Sequence, residues 1–306
     1  MSCRKLAVIL GPTASGKSDL ALDLAERMRL EILNCDSRQV YREMPIGTAA
    51  PVPEDRARCP HHLYELICPS ENFSAGRYEV VARDCLESLW KQGRKPLLVG
   101  GTGFYFQALV EGMPDIPFVP EVREHLQQRL LKVGREALVE ELRQRDPLAL
   151  QMVDVNNPRR VTRALEIMEM TGRSLSAVWA ERNPLQAEIL ILTVSWPREV
   201  LHGRISRRVA SMVKSGLESE VQGLLNTYGD AAAGLKSIGY AEWLPFFRGE
   251  ISREKVVEQI VIHTRQFAKR QLTWFRYQTQ GIGIDLSNAD SLTQLKQVLG
   301  DFWKAP

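Results

Sequence analysis

Gly11-Pro12-Thr13-Ala14-Ser15-Gly16-Lys17-Ser18 is the stretch whose reading decides the fold. These eight residues fit G-x-x-x-x-G-K-[ST], in which backbone N–H groups and a lysine are arranged to hold two linked phosphates. The apolar run at residues 6–10, just before it, reads as a short buried strand. After it, residues 17–29 carry Leu20, Leu24 and Met28 at helical spacing. Strand, glycine-rich turn and helix together form the context the motif requires. Gly11 and Gly16 permit the tight turn, Lys17 reaches the terminal phosphate, and Ser18 ligates Mg²⁺ or meets a phosphate oxygen. The loop states what is held and leaves the reaction open. It suits a diphosphate leaving group whose charge grows in the transition state, and equally a nucleoside triphosphate in phosphoryl transfer.

Outward from the loop, strand-like runs at 6–10, 31–35 and 96–99 alternate with helical ones, including residues 74–92 with Tyr78, Val81, Cys85 and Leu89 on one stripe. Such alternation predicts a parallel sheet flanked by helices. Residues 47–70, rich in proline and polar side chains, read as a long functional loop. Composition changes at residues 112–117, and from there to about residue 180 the chain reads as consecutive short helices. Residues 187–194 return to strand composition, and helices follow over 197–228 and 252–276. The expected architecture is an α/β, P-loop NTPase-like core formed by residues 1–115 and 187–306, interrupted by an all-helical insertion over 116–186. The tail after Gly281 is weakly patterned.

The chain has 306 residues, 44% hydrophobic and 25% charged, the composition of an ordinary folded protein. No apolar stretch approaches the roughly 20 residues needed to cross a bilayer, and no secretory signal is evident. The five cysteines (Cys3, Cys35, Cys59, Cys68 and Cys85) are odd in number and form no C-x-x-C pair. A disulfide framework or structural zinc site is not expected, and a reducing, cytoplasmic setting is. The net charge of +3 names no partner, but the positive residues cluster at Arg159/Arg160/Arg163, Arg198/Arg204/Arg207/Arg208 and Arg265/Lys269/Arg270/Arg276. Three basic clusters suit a polyanion, although each alone also fits a solvated helix face.

Asp36 follows the strand at 31–35, and the carboxyl ends of neighbouring parallel strands open onto one crevice, so Asp36 is expected to face the phosphate loop. There it can hold Mg²⁺ or take a proton from a nucleophile; a turn or cap role is the plainer alternative. Gly100-Gly101-Thr102-Gly103 follows the strand at 96–99 and reads as a second ligand-facing turn, or as glycines serving tight strand-to-helix geometry alone. Arg204 and Arg208 share a helix face at four-residue spacing. His61-His62 carries no metal spacing, and Trp243, Phe246, Phe247, Trp274 and Phe275 read as packing residues. The stretch around Lys269, Arg270 and Gln271 combines a basic face with buried aromatics, as a helix contacting nucleic acid would.

Assembled in order, these motifs resemble the tRNA dimethylallyltransferase family, also called tRNA isopentenyltransferases. The likeness rests on Gly11–Ser18, Asp36-Ser37-Arg38-Gln39-Val40-Tyr41, Ile46-Gly47-Thr48-Ala49, His61-His62-Leu63, the run from Val99 to Tyr105, Arg163-Ala164-Leu165-Glu166, Ile238-Gly239-Tyr240 and the run from Ala268 to Arg276. The resemblance implies transfer of a dimethylallyl group from dimethylallyl diphosphate to N6 of adenosine 37 in tRNA, with Mg²⁺ as cofactor and diphosphate released. It implies that Asp36 is the general base, that Lys17, Ser18, Thr102 and Arg208 orient the diphosphate, and that Ser18 and Asp36 serve the metal. Contacts to tRNA would come from Asp36, Ser37, Arg38, Gln39, Thr102, Arg159, Arg160, Val161, Thr162, Arg163, Lys269, Arg270 and Gln271, with the insertion gripping the anticodon stem-loop. The protein is expected to be a monomer with no membrane association.

The chain departs from the family's commonest pattern at two places. Glu43-Met44-Pro45 stands where Gly-Met-Asp is usual, and Asn157-Pro158-Arg159-Arg160 replaces an Asn-Asp-Pro-Gln-Arg-like run. No C-terminal Cys/His extension is present, as in the compact bacterial form. Two other readings compete: an ATP-dependent kinase, and an RNA-binding or regulatory protein built on a phosphate loop.

Overall fold

The first strand, β1 (Lys5–Leu10), is buried along its whole length, as an apolar run bounded by a charged pair and a glycine should be in a sheet covered on both faces. In the computed structural model, which describes residues 4–114, 116 and 119–304, β1 lies inside a six-stranded parallel sheet. The other strands are β2 (Leu30–Cys35), β3 (His61–His62), β4 (Lys95–Gly100), β5 (Glu188–Ser195) and β6 (Ile282–Asp285). Their order across the sheet is β3-β2-β4-β1-β5-β6. The register places Val8 beside Leu98 on one side and Ile191 on the other. Helices Lys17–Met28, Ala75–Lys91, Arg198–Lys214, Arg253–Gln278 and Ser291–Lys304 belong to the same unit.

Four of the six strands fall where apolar runs predicted them. The sheet extends further at both edges. β3 is the His61-His62 pair, tied by Ile32↔His61 pairing to β2. His61 Nδ1 lies 2.9 Å from the Cys59 carbonyl, and His62 Nε2 lies 2.8 Å from Glu31, so both rings serve local bonding. At the opposite edge, β6 and the Ser291–Lys304 helix give structure to the weakly patterned tail. Leu295 and Leu299 enter the sheet's core cluster beside Ala7, Ile9 and Leu192, and Lys5 Nζ donates to the Phe302 carbonyl at 2.9 Å.

The chain divides into two compact units, one formed by residues 1–107 with 186–306 and the other by residues 108–185. The sequence placed the first boundary at residue 115, which lies outside the described residues, as does Cys3. Within the second unit, helices Pro120–Arg145, Ala149–Met152, Pro158–Thr171 and Leu175–Ala180 surround a core of Leu126, Leu138, Leu142, Val161, Leu165 and Val178. Buried Asp146 braces it, accepting from the Ser176 N–H at 2.7 Å and from the Ser176 hydroxyl at 3.1 Å. Asn157 caps the Pro158–Thr171 helix by accepting from the Arg159 N–H, with Pro158 in the first turn. Asparagine as cap and proline at the first helical position are preferred there, so this departure from the family pattern is a well-formed helix start.

Candidate active site

The phosphate loop joins β1 to the Lys17–Met28 helix. Ala14 and Gly16 have positive φ, 62° and 84°, which curls successive N–H groups toward one side and forms an anion-binding nest. Gly16 accepts that conformation without strain. Three distant side chains hold the loop. Trp196 Nε1 donates to the Ser15 carbonyl at 2.8 Å, and Arg204 Nε donates to the Ala14 carbonyl at 2.8 Å. Gln271 accepts from the Thr13 N–H at 2.8 Å while its Nε2 donates to the Gly101 carbonyl at 2.7 Å. The loop therefore keeps its shape through the protein's own bonds. Ser15 Oγ is buried with no hydrogen-bond partner among the described residues.

Lys17 is only 8% exposed, and its ammonium makes a long contact, 3.4 Å, to the Pro12 carbonyl. Burial lowers its pKa to about 8; the nearby Asp36 charge opposes that shift and the Arg208 charge adds to it. Arg208 is likewise pushed below the ordinary guanidinium range, mainly by burial, while Asp36 and Asp19 pull it upward. Two desolvated cations with little anionic compensation form a strong attractor for a multiply charged anion.

Asp36 stands at the end of β2. Its N–H donates to the Asn34 side chain at 2.8 Å, and its Oδ1 accepts from the Arg38 N–H at 2.9 Å. The carboxylate thus does serve the turn. Among the described residues only Oδ1 is engaged, which leaves Oδ2 available as a proton acceptor. Thr102 lies at the end of β4: its N–H donates to the Cys35 carbonyl at 3.1 Å, and its hydroxyl accepts from the Ser37 N–H at 2.9 Å. The two strand-end turns are locked to each other.

A cavity of about 240 Å³ opens against the loop, lined by Lys17, Ser18, Gln39, Tyr64 and Arg208. It shares Ala49, Ala50, Pro51 and Arg208 with a wider groove of about 1160 Å³, whose further lining includes Ile46, Val52 and Met212. The wider groove is predominantly apolar. Gln39 Nε2 donates to the carbonyls of Thr48 and Ala49 at 3.2 and 2.7 Å. That fixes the amide's orientation and leaves Oε1 as an acceptor.

The remaining expected contacts separate into exposed and buried sets. Lys269 and Arg270 are exposed and line a shallow groove of about 520 Å³ with Trp274 and Tyr277. Trp274 also packs edge-on against Phe106, and Phe275 is buried. Gln271 was expected on the RNA-contacting face, but it is 5% exposed and both ends of its amide are bonded inside the protein. In the helical unit, Arg159 and Arg160 are exposed, Thr162 is half-buried, and Arg163 pairs with Glu166 at 2.7 Å. Val161, also among the expected contacts, has its side chain fully buried in that unit's core. The loop-holding roles of Trp196 and Arg204 carried no signal in the sequence beyond the arginine's place on the Arg208 face.

Comparison with known proteins gives these features a family. The model described as IPP transferase matches residues 39–278, and that described as isopentenyl transferase matches residues 4–61. A tRNA dimethylallyltransferase of Synechocystis sp. is 43% identical over 296 residues, covering 96% of each chain. One from Nitrosococcus oceani is 41% identical, covering 94% of this chain and 93% of its own. Among solved structures, the full-length tRNA isopentenylpyrophosphate transferase of Bacillus halodurans superposes with TM-score 0.73 at 33% identity, covering 98% and 97% of the two chains. A eukaryotic dimethylallyltransferase acting on tRNA gives TM-score 0.83 at 28% identity, covering 98% of this chain and 80% of the other. By sequence along nearly its whole length, and by fold, this chain belongs to the IPP transferase family.

Proposed function

We propose that this protein transfers a dimethylallyl group from dimethylallyl diphosphate to N6 of adenosine 37 in tRNA. The observation that supports the reading is that two cavities share part of their lining. A small one lined by Lys17, Ser18 and Arg208 shares Ala49, Ala50 and Pro51 with a larger apolar groove. A prenyl diphosphate has those two halves, a highly charged head and a hydrocarbon tail. A kinase reading accounts for the head alone.

The loop N–H groups, Lys17 and Arg208 bind the diphosphate and receive the charge that grows on it as the allylic C–O bond breaks. The adenine amine is a weak nucleophile because its lone pair is delocalised into the ring. It must therefore be placed accurately and lose a proton as the N6–C bond forms. Asp36 takes that proton on its carboxylate, and Thr102 keeps the Asp36–Ser37 turn in place. Gln39 Oε1 offers the RNA an acceptor, while Lys269 and Arg270 in one unit and Arg159 and Arg160 in the other offer cations to its phosphates. The target lies in a single-stranded loop, where extrusion of a base costs less than from a duplex. The helical unit would act on the anticodon stem-loop.

The Ser18 hydroxyl and the Asp36 carboxylate are hard oxygen donors of the kind Mg²⁺ takes. Among the described residues no group of three His, Cys, Asp or Glu could enclose a metal, so diphosphate and water would complete its shell. When bound, the ion would neutralise part of the diphosphate charge.

The deciding experiment mixes the protein with labelled dimethylallyl diphosphate, Mg²⁺ and an unmodified anticodon stem-loop, followed by nucleoside mass analysis. Isoprenoid on adenosine 37 without ATP is expected; phosphate transfer from ATP would replace this reading with a kinase. Asp36→Ala should bind the diphosphate nearly as the parent does and lose about 100-fold or more in transfer rate. Near-parental transfer would remove Asp36 from the base role.

A further inference from the structure

Two of the sequence motifs, Ile46-Gly47-Thr48-Ala49 and Ile238-Gly239-Tyr240, meet in the fold, and the second has no part in the chemistry described so far. Tyr240 is fully buried. A Cβ on Gly47 would lie 2.4 Å from the Tyr240 ring, so only glycine lets this backbone close onto it. The Tyr240 hydroxyl lies 2.6 Å from Glu220 Oε1 and 3.0 Å from the Met44 carbonyl. Glu220, on the Leu217–Tyr228 helix, reaches the same turn. Its Oε2 accepts from the Ile46 N–H at 2.8 Å and its Oε1 from the Gly47 N–H at 3.0 Å. One carboxylate, supplied from a helix over 170 residues away in sequence, thus holds the entry of the Pro45–Thr48 turn.

The exit of that turn points at the active site. The Thr48 carbonyl accepts from Gln39 Nε2 and, at 3.5 Å, from Arg208 Nη2; the Ala49 carbonyl accepts from Gln39 at 2.7 Å. The two side chains assigned to the RNA and to the diphosphate therefore rest on carbonyls whose position is set from behind.

We propose that Glu220 and Tyr240 are positioning residues for the transfer, fixing the turn at residues 45–49 so that Gln39 and Arg208 meet their substrates in one geometry. The inference rests on the reading of Arg208 as a diphosphate ligand and Gln39 as an RNA contact. Charge matters on the Glu220 side, because an amide there would turn an N–H toward a backbone N–H. Shape and one hydroxyl matter on the Tyr240 side.

The test is a set of double-mutant cycles. Glu220→Gln and Tyr240→Phe are made alone and in a Gln39→Ala/Arg208→Lys background, with melting temperature and steady-state kinetics measured for each. When two sites are coupled, the cost of altering one shrinks once the other has been altered. Alone, each substitution should lower kcat/KM by about 10-fold, chiefly through KM for dimethylallyl diphosphate and the stem-loop. In the altered background the same substitutions should change it by less than about 2-fold. Equal losses in both backgrounds, or losses that follow melting temperature in every variant, would overturn the proposal and reduce the pair to scaffold. If Gln39→Ala/Arg208→Lys itself matches the parent, the assignment of those two ligands fails and this inference falls with it. Should Glu220→Gln not fold, Tyr240→Phe, which removes a single hydroxyl, completes the cycle.

Discussion

Gln271 offers a sharp test of how the phosphate loop keeps its form. Its amide spans from the Thr13 N–H to the Gly101 carbonyl, the two turns that follow β1 and β4. Gln271→Ala leaves both backbone groups without a partner. An orphaned buried polar group costs about 1–3 kcal/mol, and Thr13 is only partly buried. The combined loss should therefore be about 2–4 kcal/mol. Gln271→Glu behaves differently. It keeps an acceptor for Thr13, loses the donor for Gly101 and adds a negative charge beside the anion nest. Its stability loss should be no smaller, because a buried carboxylate oxygen would then face the Gly101 carbonyl. A like charge within about 8 Å of a phosphate oxygen, at an effective dielectric near 20, costs about 2 kcal/mol, or about 30-fold in affinity. Both variants should thus lose stability in urea denaturation, and Glu should be the worse in calorimetric titration with dimethylallyl diphosphate. Loss of under about 1 kcal/mol for Ala, or equal diphosphate affinity for the two, would refute the bridging role.

The low pKa of Lys17, about 8, makes diphosphate affinity fall as pH rises above that value, since the neutral amine no longer attracts the anion; a Lys17→Met profile should be flat over the same range. For stability the sign is opposite, because the unfolded chain binds the proton more tightly: the charged-state penalty is full below about pH 8 and fades as pH rises toward 10.5, which urea titrations at fixed ionic strength would reveal. Glu43 occupies φ 60°, the left-handed region that the family's usual glycine enters freely, and its carboxylate is met by the Tyr228 hydroxyl at 2.7 Å. Glu43→Gly should stabilise the protein by about 0.5–1 kcal/mol, read as a melting temperature higher by about 1–3 °C. Arg159 and Arg160 sit in the first turn of the Pro158–Thr171 helix, where cations oppose the helix dipole. Arg159→Glu should therefore gain a few tenths of a kcal/mol in stability while weakening stem-loop binding and making its salt slope shallower by about 0.7.

Strand-end logic made Lys17, Asp36 and Thr102 legible, since β1, β2 and β4 are apolar runs whose ends are marked by a motif, an acid or a glycine cluster. The edges of the sheet were harder. β3 is two histidines with no apolar period, and β6 is four residues broken by Gly283, too short for periodicity to speak. The burial of Gln271 and Val161 has one cause. Each lies beside exposed arginines in the sequence, but a helix rotates neighbours to different faces. Gln271 belongs with Ala268 and Phe275, three and four positions away, and Val161 with Ala164, Leu165 and Met168. The spacing was present; the charge of the neighbours drew the reading away from it. Glu220 and Trp196 had no such spacing, because what they hold lies in distant turns.

The distant supports of the phosphate loop bear on how the chain is made. Trp196, Arg204 and Gln271 lie 181, 190 and 258 residues beyond the groups they hold, and β1 takes β5 as one of its two neighbours. A ribosome that has released the loop must add 258 residues beyond Thr13 before Gln271 can hold it. Non-local pairing of this kind is slow to form, whereas residues 108–185 contain their own core and depend on shorter separations. The helical unit should thus fold first during synthesis. Until Gln271 emerges, the nascent protein would lack a finished anion nest, so the ability to grip a diphosphate should arise only after that residue has left the ribosome.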